Sequence, residues 1–253
     1  MSKLPNDHKF IDLSDYGRPI ARIIANSLKE TSYRPIDVTI WFIISGAIAI
    51  FCILLGYFWA AAFFLIFKSI LDAADGELAR VKNTPSYTGR YLDSVADIVL
   101  NFFIFLALWY ITHTTLLFIF LAFLGMQLQG TLYNYYYVII RNNVNGDKTS
   151  RIFENKTPIA LKGEKQINVN ILFSIYKALY GIFDKIIYTL DSNAATSKRF
   201  PNILMTAIST FGLGFQLLII GLMLVFGYKE YIVSFFLWYS LMIIVFIGIR
   251  KLM

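Results

Sequence analysis

The chain has 253 residues, 57% of them hydrophobic and 17% aromatic, with a mean hydropathy of +0.61. That balance argues against an ordinary soluble domain and points to an integral membrane protein. The formal charge of +7 does not mark a nucleic-acid binder, because the Lys and Arg residues sit beside apolar runs instead of forming one basic face.

Taken in order, the first twenty residues (MSKLPNDHKFIDLSDYGRPI) are polar and lack the apolar core of a cleavable signal peptide. Residues 12–32 mix Ile, Leu and Ala with Arg18, Arg22 and Lys29, which predicts an amphipathic helix in the headgroup plane. Residues 1–36 then form an interfacial N-terminal segment and residues 37–253 a six-span domain. The spans are expected at about 37–57, 58–80, 89–112, 115–141, 201–227 and 231–250, each about twenty apolar residues, as a bilayer requires. Between the fourth and fifth, residues 142–200 are polar and basic and read as a long cytoplasmic loop containing an interfacial helix at 167–190. Counting Lys and Arg places both termini and this loop on the cytoplasmic side, with Lys229 alone in an outer turn. The fold class is therefore all-α, a polytopic membrane protein with six transmembrane helices and an N-terminal amphipathic helix. Cys52, the single cysteine, lies in an apolar run and cannot form an internal disulfide.

Residues 71–97 carry most of the chemistry: LDAADGELARVKNTPSYTGRYLDSVAD. On helices, Asp72 and Asp75 (i,i+3) share one face, as do Asp93 and Asp97 (i,i+4). Four carboxylates at a membrane border repel one another and are costly to desolvate, so a divalent cation or a proton must offset them. Hard oxygen ligands suit magnesium, manganese or calcium. The spacing Asp-x2-Asp-Gly-x2-Ala-Arg-x8-Gly-x3-Asp-x3-Asp resembles the signature of the CDP-alcohol phosphotransferase family of membrane enzymes, with no departure at any fixed position. The resemblance implies metal-dependent transfer of a substituted phosphate from a CDP-linked donor to an alcohol or lipid acceptor, with CMP released. It implies that Asp72, Asp75 and Asp93 are metal ligands and that Asp97 is the general base, a further ligand, or both. Magnesium is the expected cation, with manganese the alternative. Gly76, Ala79, Arg80 and Gly89 are expected on the nucleotide and phosphate side, the small residues allowing close approach and Arg80 offering a fork for phosphate oxygens. The family also implies membrane lipids as surroundings and a homodimer.

The motif leaves the donor open between CDP-diacylglycerol and CDP-choline or CDP-ethanolamine. A transporter with an intramembrane carboxylate site and an aspartate-rich prenyltransferase are the competing classes. Lys68, one turn before Asp72, can pair with it. Two polar stripes at helical spacing, Gln127 to Arg141 through Gly130, Asn134 and Tyr137, and Asn202 to Gln216 through Thr206 and Ser209, are either interhelical glue or cavity lining. Tyr133, Tyr135, Tyr136 and Tyr137 read as an interfacial aromatic belt. Arg141, Arg199 and Arg250 fall at cytoplasmic span ends and, with Asn134, are candidates to hold an anionic acceptor.

Overall fold

The structure is a computed structural model, and it describes residues 9–144, 154, 156–197 and 200–253. Among the described residues every regular element is helical: α1 (Arg18–Leu28), α2 (Pro35–Leu54), α3 (Phe58–Val81), α4 (Tyr87–Thr112), α5 (Leu116–Asn143), α6 (Gln166–Leu190), α7 (Asn202–Ile208), α8 (Leu213–Val225), α9 (Ile232–Ser240) and α10 (Met242–Leu252). Short 3-10 turns at Leu13–Asp15, Ser192–Thr196, Ser209–Phe211 and Lys229–Tyr231 join or extend them.

Four stretches are long and apolar enough to cross a membrane: Pro35–Leu54, Tyr87–Thr112, Leu116–Asn143 and Lys229–Leu252. Asn202–Phe211 and Leu213–Val225 would make a fifth if the pair, bent by 54°, is one span. The second expected span coincides with α3, which is 24 residues long but carries Lys68, Asp72 and Asp75 in its interior. The helix starts obey local rules. Pro35 opens α2 just after Arg34, whose backbone N–H is taken by Asp37 Oδ2 at 2.7 Å. Ser86 caps α4 by accepting from Gly89 N at 2.8 Å. Gly56, at φ +78°, makes the tight turn between α2 and α3 that only glycine adopts without strain.

The apolar core runs through α2, α3, α4, α5, α8 and α9, centred on residues such as Leu65, Phe105, Met126 and Phe236. Small residues let α8 cross α3 closely, Gly221 lying against Ala62. The N-terminal helix is shorter than its composition predicts. α1 buries Ala21 and Ala25 in a cluster with Leu71, Ala74 and Leu78 of α3, while Ile20 and Ile23 stay exposed.

α6 covers most of the 167–190 stretch and lies across the motif side of the bundle. Near its start Phe173 and Tyr176 pack on Tyr91, in the second turn of α4. At its end Asp191 accepts from Tyr136 Oη at 2.6 Å and is ion-paired with Arg250 in the last turn of α10. Residues preceding α6 strap onto the start of α4. Glu164 accepts from Ser86 Oγ and Thr88 N, both at 2.7 Å, and Glu154 pairs with Arg90 and Tyr91. Burial works against the Glu164 charge, but the hydrogen bonds from Thr88, Ser86 and Leu161 hold its carboxyl below the ordinary glutamate value.

The Asp191 cluster is enclosed, with 0% side-chain exposure for Asp191 and 8% for Arg250. Arg250→Ala leaves a buried carboxylate without its counter-charge and with Tyr136 as its side-chain donor, so a loss of about 3–5 kcal/mol is expected, read as a lowered unfolding midpoint in detergent. Replacing both partners by apolar residues of similar volume should recover part of that loss.

Candidate active site

The motif folds as two facing helix segments. α3 runs uninterrupted through residues 72–80, a two-residue turn with Asn83 at φ +53° follows, and α4 begins after its Ser86 cap. This brings Asp72, Asp75 and Asp93 together, each offering a carboxylate oxygen, with those oxygens all within 4.8 Å of one another. No salt bridge reaches any of the three among the described residues. Asp93 Oδ1 is buried without a hydrogen-bond partner, an orphaned acceptor of the kind a hard cation satisfies. The donor set therefore fits a divalent cation such as magnesium or manganese.

Asp97 lies one turn beyond Asp93 and stands apart from that trio. Its Oδ1 accepts from Lys68 Nζ at 2.5 Å, and the lysine side chain is fully buried while that of Asp97 is 15% exposed. Lys68 thus reaches across to α4 instead of pairing with Asp72 along its own helix. Its ammonium also sits 4.9 Å from the centre of the Phe42 ring.

Two contacts have little signature in the sequence. Thr39 on α2, an unremarked residue in an apolar run, donates to Asp75 Oδ2 at 2.6 Å and so orients one carboxylate of the trio. Glu77, at a variable position between Gly76 and Ala79, is buried and ion-paired with Arg18 at 2.6 Å and with Arg80 at 3.2 Å. A buried glutamate next to a metal motif is the one signal that could have drawn notice.

A cavity of about 310 Å³ opens beside the trio. One wall is the motif itself, through Asp72, Asp75, Gly76, Arg80 and Asp93. At Gly76 a Cβ would meet only the Arg80 guanidinium, at 3.6 Å, so the helix backbone is open there. The α5 stripe divides in two. Tyr133, Asn134, Tyr137 and Arg141 face the cavity, whereas Gln129, next to the stripe, bonds Gln216 Nε2 at 3.0 Å and acts as glue. The tyrosines are not a belt: Tyr135 and Tyr136 are buried and bind Asp191.

Not every expected residue is brought in. Ala79 and Gly89 do not line the cavity, and Gly89 is occupied with the Ser86 cap. Arg250 is held away by Asp191, so it does not join Arg141 at the cavity. Arg199 lies outside the described residues.

An acidic trio, with Asp75 buried and Asp72 and Asp93 half-buried, thus sits on α3 and α4 beside a cavity that Arg18, Arg80 and Arg141 help to line, a donor set of the kind that holds a cation next to phosphate oxygens. The sequence model of the CDP-alcohol phosphatidyltransferase family matches residues 34–189, more than half of the chain, and the chain belongs to that family of phospholipid-synthesis transferases. No curated protein and no solved structure matches it.

Thr39→Val keeps the shape of the site but removes the hydroxyl from Asp75. Outer-shell losses of this type cost about 10–100-fold in metal affinity, so manganese binding followed by electron paramagnetic resonance should weaken by that order.

Proposed function

We propose that this chain is a metal-dependent CDP-alcohol phosphotransferase that moves a substituted phosphate from a CDP-linked donor to an alcohol and releases CMP. The observation that carries this reading is the trio Asp72, Asp75 and Asp93, with carboxylate oxygens within 4.8 Å and one orphaned acceptor, in a member of that family. These three residues would hold the cation, magnesium or manganese, which when bound neutralises the donor diphosphate and polarises it toward attack.

The chain's own groups do the remaining work. Arg80, fixed by Glu77, presents its guanidinium to phosphate oxygens. Gly76, which lines the cavity, keeps a side chain off the helix surface that borders the donor. Asp97, oriented by Lys68, takes the proton of the attacking hydroxyl. A new acceptor O–P bond forms, the bond from phosphorus to the CMP oxygen breaks, and CMP leaves with the electron pair. Asn134 and Arg141 lie on the opposite wall and are suited to the acceptor, Arg141 to an anionic group on it.

In the membrane, we place six spans, with α3 and the bent α7–α8 pair among them and both termini on the cytoplasmic side. α1 and α6 lie along that interface, with Ile20, Ile23, Ile167 and Ile171 exposed to it. The working unit is a homodimer.

A panel of CDP-linked donors and alcohol acceptors in liposomes, scored by CMP release and lipid product mass, tests the reading. CMP release that requires magnesium or manganese and stops with a chelator is expected, and no release from any pair refutes it. Alanine at Asp72, Asp75 or Asp93 should abolish transfer and weaken metal binding together. Asp97→Asn should behave differently, lowering turnover by about 10²–10⁴-fold while donor affinity, measured by equilibrium binding, largely survives.

A further inference from the structure

The two walls of the cavity differ in origin. The motif wall lies within the family-matched residues 34–189. Much of the facing wall does not, because Asp12, Ser14, Asp15 and Arg18 come from the N-terminal segment and Leu213 and Gly214 from the start of α8. Residues 12–18 form a hook that enters the bundle before α1 begins.

The hook is seated by specific contacts. Asp12 Oδ1 accepts from Ser14 N at 3.1 Å and Ser14 Oγ at 2.7 Å, which closes the turn, and its Oδ2 accepts from Tyr133 Oη at 2.5 Å. Leu13 N donates to Ser209 Oγ at 2.9 Å. Arg18 donates to Glu77 Oε1 at 2.6 Å and is ion-paired with Asp15. Sterically there is no slack. A Cβ on Gly214 would lie 2.0 Å from the Ser14 carbonyl oxygen, and one on Gly17 would lie 2.7 Å from Ile70 Cγ1, so glycine is required for both approaches.

With the acidic trio facing the donor diphosphate, an acceptor hydroxyl opposite the departing CMP oxygen must come from the far side of the cavity. That side is the hook together with Asn134 and Arg141. Its groups are carboxylate, hydroxyl, amide and guanidinium, with hydrogen-bonding capacity for a water-soluble alcohol and little apolar surface for a diacylglycerol tail.

We propose that residues 12–18 are the specificity-determining wall for a polar acceptor alcohol, latched in place by the Asp12–Tyr133 hydrogen bond. This rests on the transferase reading above. With shape retained, the latch is weakened by Asp12→Asn, which removes its charge, and broken by Tyr133→Phe, which removes the hydroxyl. Gly214→Ala displaces Ser14 and, through the Ser14–Asp12 hydrogen bonds, disturbs the hook from a third side. Each variant is compared with wild type for donor KM, acceptor KM and kcat in the CMP-release assay, using the best polar acceptor and diacylglycerol as separate arms.

The expected result is an acceptor KM raised about tenfold in Tyr133→Phe, the loss of one charge-assisted hydrogen bond, and raised in the same direction in Asp12→Asn and Gly214→Ala. Donor KM should stay within about twofold, which also shows that the motif wall is folded. The Asp12→Asn/Tyr133→Phe double variant should be no worse than Tyr133→Phe alone, since that change already removes the bond. An unchanged acceptor KM, or donor and acceptor KM rising together, overturns the proposal while leaving the transferase reading standing. A wild-type enzyme that uses diacylglycerol and no polar alcohol also overturns it. Absence of CMP release with every donor and acceptor removes the transferase reading itself.

Discussion

A charge taken out of water in a membrane protein is tolerated only when an opposite charge or several hydrogen bonds answer it, and the buried part of this chain follows that constraint closely. Glu77 is met by Arg18 and Arg80, Asp191 by Arg250 and Tyr136, and Asp97 by Lys68. Each pair also joins separate elements: the N-terminal segment to α3, the end of α6 to α10, and α3 to α4. The electrostatic solution and the packing solution are thus the same contacts. Against that background the trio Asp72, Asp75 and Asp93 stands out, since among the described residues no salt bridge reaches it and Thr39 is the side chain that hydrogen-bonds to it, with Lys68 acting on it from its place on Asp97. The uncompensated acids mark where the molecule expects something from outside.

The motif was readable because its chemistry is local. Asp72 and Asp75 belong to one helix face by spacing, and a short turn returns the chain so that Asp93 must lie opposite. Helix positions were also legible, since runs of about twenty apolar residues bounded by Arg34, Gly56, His113 and Gly227 leave few alternatives. Lateral relations between helices were not. Nothing in the spacing of Arg141 and Arg250 says that one faces the cavity while the other turns to Asp191, because which face a helix presents depends on neighbours far away in sequence. The same holds for Lys68. Its nearest acid along the helix is Asp72, yet the crossing of α3 and α4 offers Asp97, and a long flexible ammonium takes the better partner.

The tyrosine-rich stretch on α5 is instructive for a related reason. Four tyrosines in five residues resemble a headgroup belt, but helical geometry sends Tyr133 and Tyr137 one way and Tyr135 and Tyr136 another. Each face then finds a carboxylate, Asp12 for Tyr133 and Asp191 for Tyr136. A phenol in a protein interior requires such a partner, so the stretch is better understood as two hydrogen-bonding stations on one helix.

The hook carries a consequence for the time course of synthesis. It is synthesised before its seat at Ser209 and Gly214, and the Leu13–Ser209 hydrogen bond spans 196 positions. At about 5–20 residues per second, roughly 10–40 s separate the two. During that interval α3 and α4 can already bring the acids together, so the nascent protein holds the acidic trio with one side of its cavity missing. Completion of the pocket therefore waits on α8, and a chain stalled before that point would carry its acidic trio in a cavity still open on the side where the hook is seated.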